Sequence, residues 1–167
     1  MVVEAVAPTV VIAAGGIADG RGLAAALALG AEGVLLGMRL LATTESPIHP
    51  NFKQAIVRSD GHGTTLTEIP DIASGSVCPG AMARTLRNRF IEEWAGRESV
   101  LRRQARIARE GLQAAGTAGD PDRAALFVGQ DAGLIDSILP ASEVIERMVA
   151  EAERIITERL PAMSRHI

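Results

Sequence analysis

Two glycine loops one strand–helix repeat apart, and a Gly-Gln pair far downstream, are the parts of this chain whose residue types and spacing could do chemistry. Ala14-Gly15-Gly16 closes an apolar, β-branched run over residues 10–14, and Gly37-Met38 closes a second apolar run over 34–36. Without a Cβ, glycine lets backbone amides lie against a ligand. Unpaired N–H groups at a helix start favour an anion without any charged side chain, and phosphate is the anion such loops commonly hold. Two such loops at successive strand ends point to a phosphate more firmly than either alone. Met38 can offer only its N–H there. Gln130, inside FVGQDAGLI at 127–135, follows a glycine and can both donate and accept, which suits the edge of a polar ring or a substrate.

For these groups to meet, residues 9–41 must run strand, glycine loop, helix, strand, glycine loop, helix start. The run over 10–14 suits a strand buried on both faces of a parallel sheet. Asp19 is a helix N-cap, Leu23, Ala26 and Leu27 follow at helical spacing, and Gly30 stands where a helix would stop in the left-handed conformation. In (β/α)8 barrels, the loops after the seventh and eighth strands commonly form such a phosphate site. The dinucleotide fingerprint is absent: the loop has no G-x-G-x-x-G, and no acidic residue ends the second strand.

Residues 13–46, AAGGIADGRGLAAALALGAEGVLLGMRLLATTES, resemble the C-terminal part of the nitronate monooxygenase family, formerly the 2-nitropropane dioxygenases. These are FMN-dependent (β/α)8 enzymes with an AAGGIADGRG-like stretch, a GADGV-like strand, GTRF and an acidic turn. The resemblance implies that Ala14, Gly15, Gly16, Gly37 and Met38 hold the FMN phosphate. Met38 departs from the family's usual hydroxyl residue, so one side-chain donor is missing. The segment at 127–135 is similar to the family's A-G-Q-x-x-G-L-I stretch near the flavin, which implies a cofactor contact for Gln130. The implied activity is FMN-dependent oxidation of an alkyl nitronate, a small molecule, to a carbonyl compound and nitrite. A flavin-dependent enoyl-acyl carrier protein reductase of the same barrel is the alternative, and a truncated, non-catalytic product is another. The family's catalytic histidine lies upstream, and none of His49, His62 and His166 matches it, so no catalytic residue is assigned.

The implied fold is α/β: the last two βα units of a (β/α)8 TIM barrel, a mainly helical excursion and a C-terminal helix. The expected division is 1–58 for the barrel units, 59–126 for the excursion and 127–167 for the Gly-Gln loop and terminal helix. Residues 2–6 read as the end of a helix, so the chain is expected to start late in the barrel and to be a piece of a protein roughly twice as long. Two strands alone leave open edges, so self-association or an N-terminal partner half is expected.

Composition narrows the partners. A net charge of −3 with 2% aromatic residues gives little for a nucleic acid to bind or stack on. No apolar run reaches membrane-spanning length. The lone Cys78 excludes an internal disulfide and, with no signal peptide in view, fits a reducing cytoplasm. Asp60 and His62 have no further ligand at a metal-binding spacing, so no metal is expected.

The rest of the chain reads as connected helices. Residues 50–57 form one, with Phe52, Ile56 and Val57 inward, and 64–69 form an edge strand closed by Pro70. Residues 81–94 read as a single helix with Met82, Leu86, Phe90 and Trp94 on its apolar face. Arg84, Arg87 and Arg89 could gather a phosphate, but a solvated face paired with Glu92 and Glu93 is the preferred reading. Residues 114–122 read as a loop. Ser142 caps a last helix running to about 160, with Ile145, Met148, Val149, Ala152, Ile155 and Ile156 as its apolar stripe.

Overall fold

A computed structural model describes residues 2–76 and 80–164; Cys78 and His166 lie outside the described residues. The chain opens with helix α1 (Val2–Val6), strand β1 (Ile12–Ala14), helix α2 (Gly20–Ala28), strand β2 (Gly33–Leu35) and the short helix α3 (Met38–Leu41). β1 and β2 are parallel neighbours, with Ile12 beside Gly33 and Ala14 beside Leu35. The expected strand–loop–helix–strand–loop–helix order is therefore present. The caps are as read: the Asp19 carboxylate accepts from the Gly22 amide, and Gly30 has a φ of 92° just past the end of α2.

The faces of this sheet differ from expectation. The run over 10–14 is not buried on both sides: Val10 is 57% exposed, Ile12 53% and Leu35 68%. Among the described residues, each of the two strands has one neighbour, so both outer edges of the pair are unpaired. The β-branched composition reports a preference for burial that the described residues do not satisfy.

Helix α4 (Pro50–Val57) forms where expected, with Ile56 fully buried. His49 is its N-cap and accepts from the Asn51 amide through Nδ1. Strand β3 (Thr64–Thr67) stops before Pro70, which instead sits in the first turn of helix α5 (Ile69–Ser74), where its missing N–H is harmless. The partner of β3 is strand β4 (Ala83–Leu86), antiparallel, with Leu66 opposite Arg84. This overturns the single helix expected over 81–94. Asn88 is the reason for the break: its backbone is extended, and its side chain accepts from the Ile91 amide to start helix α6 (Arg89–Trp94). Phe90 and Trp94 are buried as expected, while Met82 is 64% exposed because it precedes the strand.

Helices α7 (Glu98–Arg103) and α8 (Ala105–Ala118) follow. α8 extends through half of the loop expected at 114–122 and stops at Gly119, whose φ is 65°. Ile69, Ile72, Ala73, Phe90, Ile91, Trp94, Leu101 and Ala108 form one core between these helices. A second core, with Ala18, Ala42, Ile56, Leu126, Val128, Ala132 and Ile135, lies beneath the glycine loops.

The chain then makes a 3-10 turn (Gln130–Leu134) before helix α9 (Ala141–Arg154), a π-turn (Ile155–Arg159) and helix α10 (Leu160–Ser164). Pro140, not Ser142, occupies the N-cap of α9, and the Ala141 amide is held by the Glu45 carboxylate at 3.0 and 3.1 Å. The buried stripe is Val144, Met148 and Ala152, one position earlier than expected at its start, while Ile145, Val149 and Ile156 are exposed. α9 packs along α2. Gly20 allows the closeness: a Cβ there would stand 2.5 Å from the Glu151 Cβ and 2.6 Å from the Met148 carbonyl oxygen. Among the described residues no helix is long and apolar enough to cross a membrane.

Candidate functional site: a cavity between two glycine loops

The six residues singled out from the sequence come together. Ala14, Gly15, Gly16, Gly37, Met38 and Gln130 all line one cavity of about 560 Å³, with Ile17, Leu35, Leu36, Gly129, Asp131 and Arg84. Parallel pairing of β1 and β2 puts both glycine loops at the same strand ends, and the 3-10 turn brings Gly129 and Gln130 opposite them.

The first loop is shaped by its glycines. Gly15 and Gly16 have φ of 88° and 73°, a region that other L-residues seldom enter. A Cβ on either, or on Gly37, would meet no atom within 4 Å. All three face open space; Gly15 and Gly16 are required by backbone conformation and not by crowding, whereas Gly37, with a φ of −112°, is not. The amides of Gly15, Gly16 and Gly37 have no backbone acceptor among the described residues. They stand ready for a ligand oxygen.

One detail departs from the expected mechanism. The first turn of α2 is not open to an anion: the Glu151 carboxylate takes the Gly20 amide at 2.9 Å, and Asp19 takes the Gly22 amide at 3.0 Å. Partial burial opposes ionisation of Asp19, yet hydrogen bonds from Arg21 and Gly22 and the Arg21 charge hold its carboxyl below the ordinary 3.8. The N–H groups left for a ligand are thus those of the glycine loops themselves. Asp19, Arg21 and Glu151 instead line a separate polar cavity of about 330 Å³ behind the loop, together with Arg39.

The second wall is set by close backbone contact. A Cβ on Gly61 would lie 2.2 Å from the Gln130 carbonyl oxygen, and one on Gly133 would lie 2.4 Å from the Asp60 carbonyl oxygen. The loop before β3 and the Gly-Gln turn therefore sit backbone to backbone. Val128 donates to the Arg84 carbonyl at 3.2 Å, which ties the start of the turn to β4.

Arg84 and Asp131 are the residues the sequence reading missed or misplaced. Arg84 was expected on a solvated helix face; on β4 it is half-buried and lines the cavity. Asn88, a strong cap four residues later, was the available signal that no helix passes through Arg84. Asp131 lies within the quoted Gly-Gln segment, and burial pushes its carboxyl up from the ordinary 3.8.

This arrangement of amides can be compared with known proteins. A model of the nitronate monooxygenase family matches residues 1–151. The chain belongs to the nitronate monooxygenase family. The nitronate monooxygenase of Paraburkholderia phytofirmans is 36% identical over 152 residues, covering 89% of this chain and 39% of that protein. Among solved structures, FabK from Thermotoga maritima superposes with a TM-score of 0.76 at 41% identity, over 92% of this chain and 47% of that one. Nitroalkane oxidase from Streptomyces ansochromogenes superposes with a TM-score of 0.75 at 34% identity, over 92% and 42%. The chain thus spans about two-fifths of the length of the curated relative it matches. Membership makes the chain part of an oxidoreductase family; its particular reaction is a separate matter.

Proposed function

We propose that this chain carries the phosphate-holding end of an FMN site in a nitronate-oxidising enzyme, as the last two βα units of a (β/α)8 barrel. The observation that carries this reading is the single cavity that gathers both glycine loops and Gln130. The residues fit the group: the Gly15, Gly16 and Gly37 positions are open toward space and their amides lack backbone partners. Gly15-Gly16 and Gly37-Met38 would hold the phosphate through N–H groups, and Gln130 would meet a polar edge of the ring or substrate. Bound flavin would supply the electron transfer and the reaction with oxygen. The protein's share is to hold and orient. His49 caps α4 through Nδ1 and is not among the residues lining the cavity. In this reading the exposed side of β1 and β2 is covered by upstream βα units, supplied by a longer chain or a partner half. The similarity to FabK keeps reduction by a flavin in the same cavity as the second reading.

The test is a fusion in which this chain replaces the matching segment of the Paraburkholderia relative. The expected product is yellow, retains FMN through gel filtration and oxidises propyl-2-nitronate. Gly16→Val in the same fusion should leave it folded by circular dichroism but depleted of FMN, because a β-branched residue is strained at positive φ. A soluble, folded fusion without flavin, or one whose flavin content ignores Gly16→Val, contradicts the proposal.

A further inference from the structure

We propose that Arg84, brought in on β4 from outside the βα repeat, is the cation that makes this cavity prefer a phosphorylated flavin over an uncharged one. The inference rests on the FMN reading above and adds a residue to it. Arg84 is the one cationic side chain among the residues lining the 560 Å³ cavity. Like most arginines among the described residues, it has no carboxylate within ion-pair distance, so its charge is not already neutralised. Its guanidinium is nevertheless held. Arg84 donates through one terminal nitrogen to the Thr64 hydroxyl at 3.1 Å, and Thr64, itself buried, donates to the Gly61 carbonyl at 3.2 Å.

That relay joins the cation to the backbone contact that seats the Gly-Gln turn, since Gly61 lies against the Gln130 carbonyl. One nitrogen is used for positioning, and the other N–H groups of the fork remain for an anion. The amides of Gly15, Gly16 and Gly37 supply directional donors without net charge, and Met38 supplies no side-chain donor. Those amides can hold a phosphate without a charged side chain, but its nearly two negative charges gain further from a cation, and Arg84 supplies it by a charge-assisted contact. Asp131, the one acid lining the same cavity, opposes an anion only when ionised, and its burial disfavours that form.

The experiment uses the fusion described above, carrying the whole of this chain, with FMN and riboflavin kept below riboflavin's solubility limit and followed by equilibrium dialysis, and FMN also by 31P line broadening. The expected result is that the fusion with native Arg84 binds FMN more tightly than riboflavin. Arg84→Gln should weaken FMN about tenfold or more while changing riboflavin less than about twofold, as loss of a charged hydrogen bond predicts. Arg84→Lys, keeping the charge without the fork, should fall between. Thr64→Val should lower FMN preference in the same direction as Arg84→Gln, with Arg84 still present. A variant that merely disturbs packing would weaken both flavins together, and that outcome overturns the inference. Equal broadening of FMN by the fusion with native Arg84 and by its Arg84→Gln variant overturns this inference and leaves the glycine-loop reading standing. No broadening by the fusion with native Arg84 overturns both.

Discussion

Gly20→Ala should be among the most damaging single methyl additions in this chain, and its cost can be worked from the α2–α9 contact. The added Cβ would stand 2.5 Å from the Glu151 Cβ, 2.6 Å from the Met148 carbonyl oxygen and 2.7 Å from the Ala152 nitrogen. Two of these three neighbours are backbone, so no rotamer change relieves the clash and the helices must part. Overpacking of this kind costs about 1–3 kcal/mol. Separation also lengthens the 2.9 Å hydrogen bond from the Gly20 amide to the Glu151 carboxylate, a charged bond whose loss costs about 1.5–3 kcal/mol. Gly20 is the first residue of α2, so alanine's better interior propensity returns little. The net expectation is a loss of about 2–6 kcal/mol. Gly111→Ala is the matched control: it lies within α8, and its Cβ would meet no atom within 4 Å. It should stabilise by about 0.5–1 kcal/mol. Urea titration followed by far-ultraviolet circular dichroism reads both, with the midpoint moving and the slope unchanged. A Gly20→Ala midpoint at or above the native one, or equal to that of Gly111→Ala, would refute the helix-contact reasoning.

Asn88→Ala should cost about 2–3 kcal/mol by the same titration, because it removes the cap of α6 and leaves the buried carbonyls of Pro121 and Ala124 without their donor; Asn88→Asp should recover the cap but not the two donors. Gly61→Ala should lower stability and, in the fusion, flavin content, since the methyl meets the Gln130 carbonyl oxygen and the residue sits at a φ of 79°; unchanged stability and flavin retention would contradict the backbone joint. Asp131→Asn should raise stability at neutral pH. A carboxyl whose folded pKa is raised binds its proton more tightly in the folded state, so native Asp131 loses stability as pH climbs through that value. The advantage of the variant should vanish well below pH 3.8, where the native group is protonated in both states, and a variant advantage that persists there would point to packing instead.

The legible part of this protein was the part made of local rules. Asp19, Gly30 and the two apolar runs each announce a boundary within a few residues, so the βαβ order and the facing glycine loops follow from short-range chemistry. The failures arise where a distant segment decides. Residues 81–94 have apolar residues at helical spacing, yet pairing of β4 with β3 and the commitment of Asn88 to the turn after it divide the segment. That error hid Arg84, whose place at the cavity depends on a register set some twenty residues upstream. The last helix was found, but its buried face was misjudged, because only the position of α2 tells Val144 from Ile145. Gln130 was found by type, while the reason it reaches the site, a glycine pair at 61 and 133, joins segments that periodicity cannot relate.

A cavity walled by Ala14, Gly15, Gly16 and Gly37 presents main chain where most binding sites present functional groups. Its information content is therefore poorly sampled by mutational scanning with alanine. At Ala14 such a scan changes nothing, and at the three glycines it adds a methyl instead of deleting an interaction. At Gly15 and Gly16, where φ is 88° and 73°, that methyl is strained, so a loss there reports backbone conformation and not the N–H itself. Replacing individual amides by esters, which removes one N–H while keeping the side chain, interrogates such a wall directly.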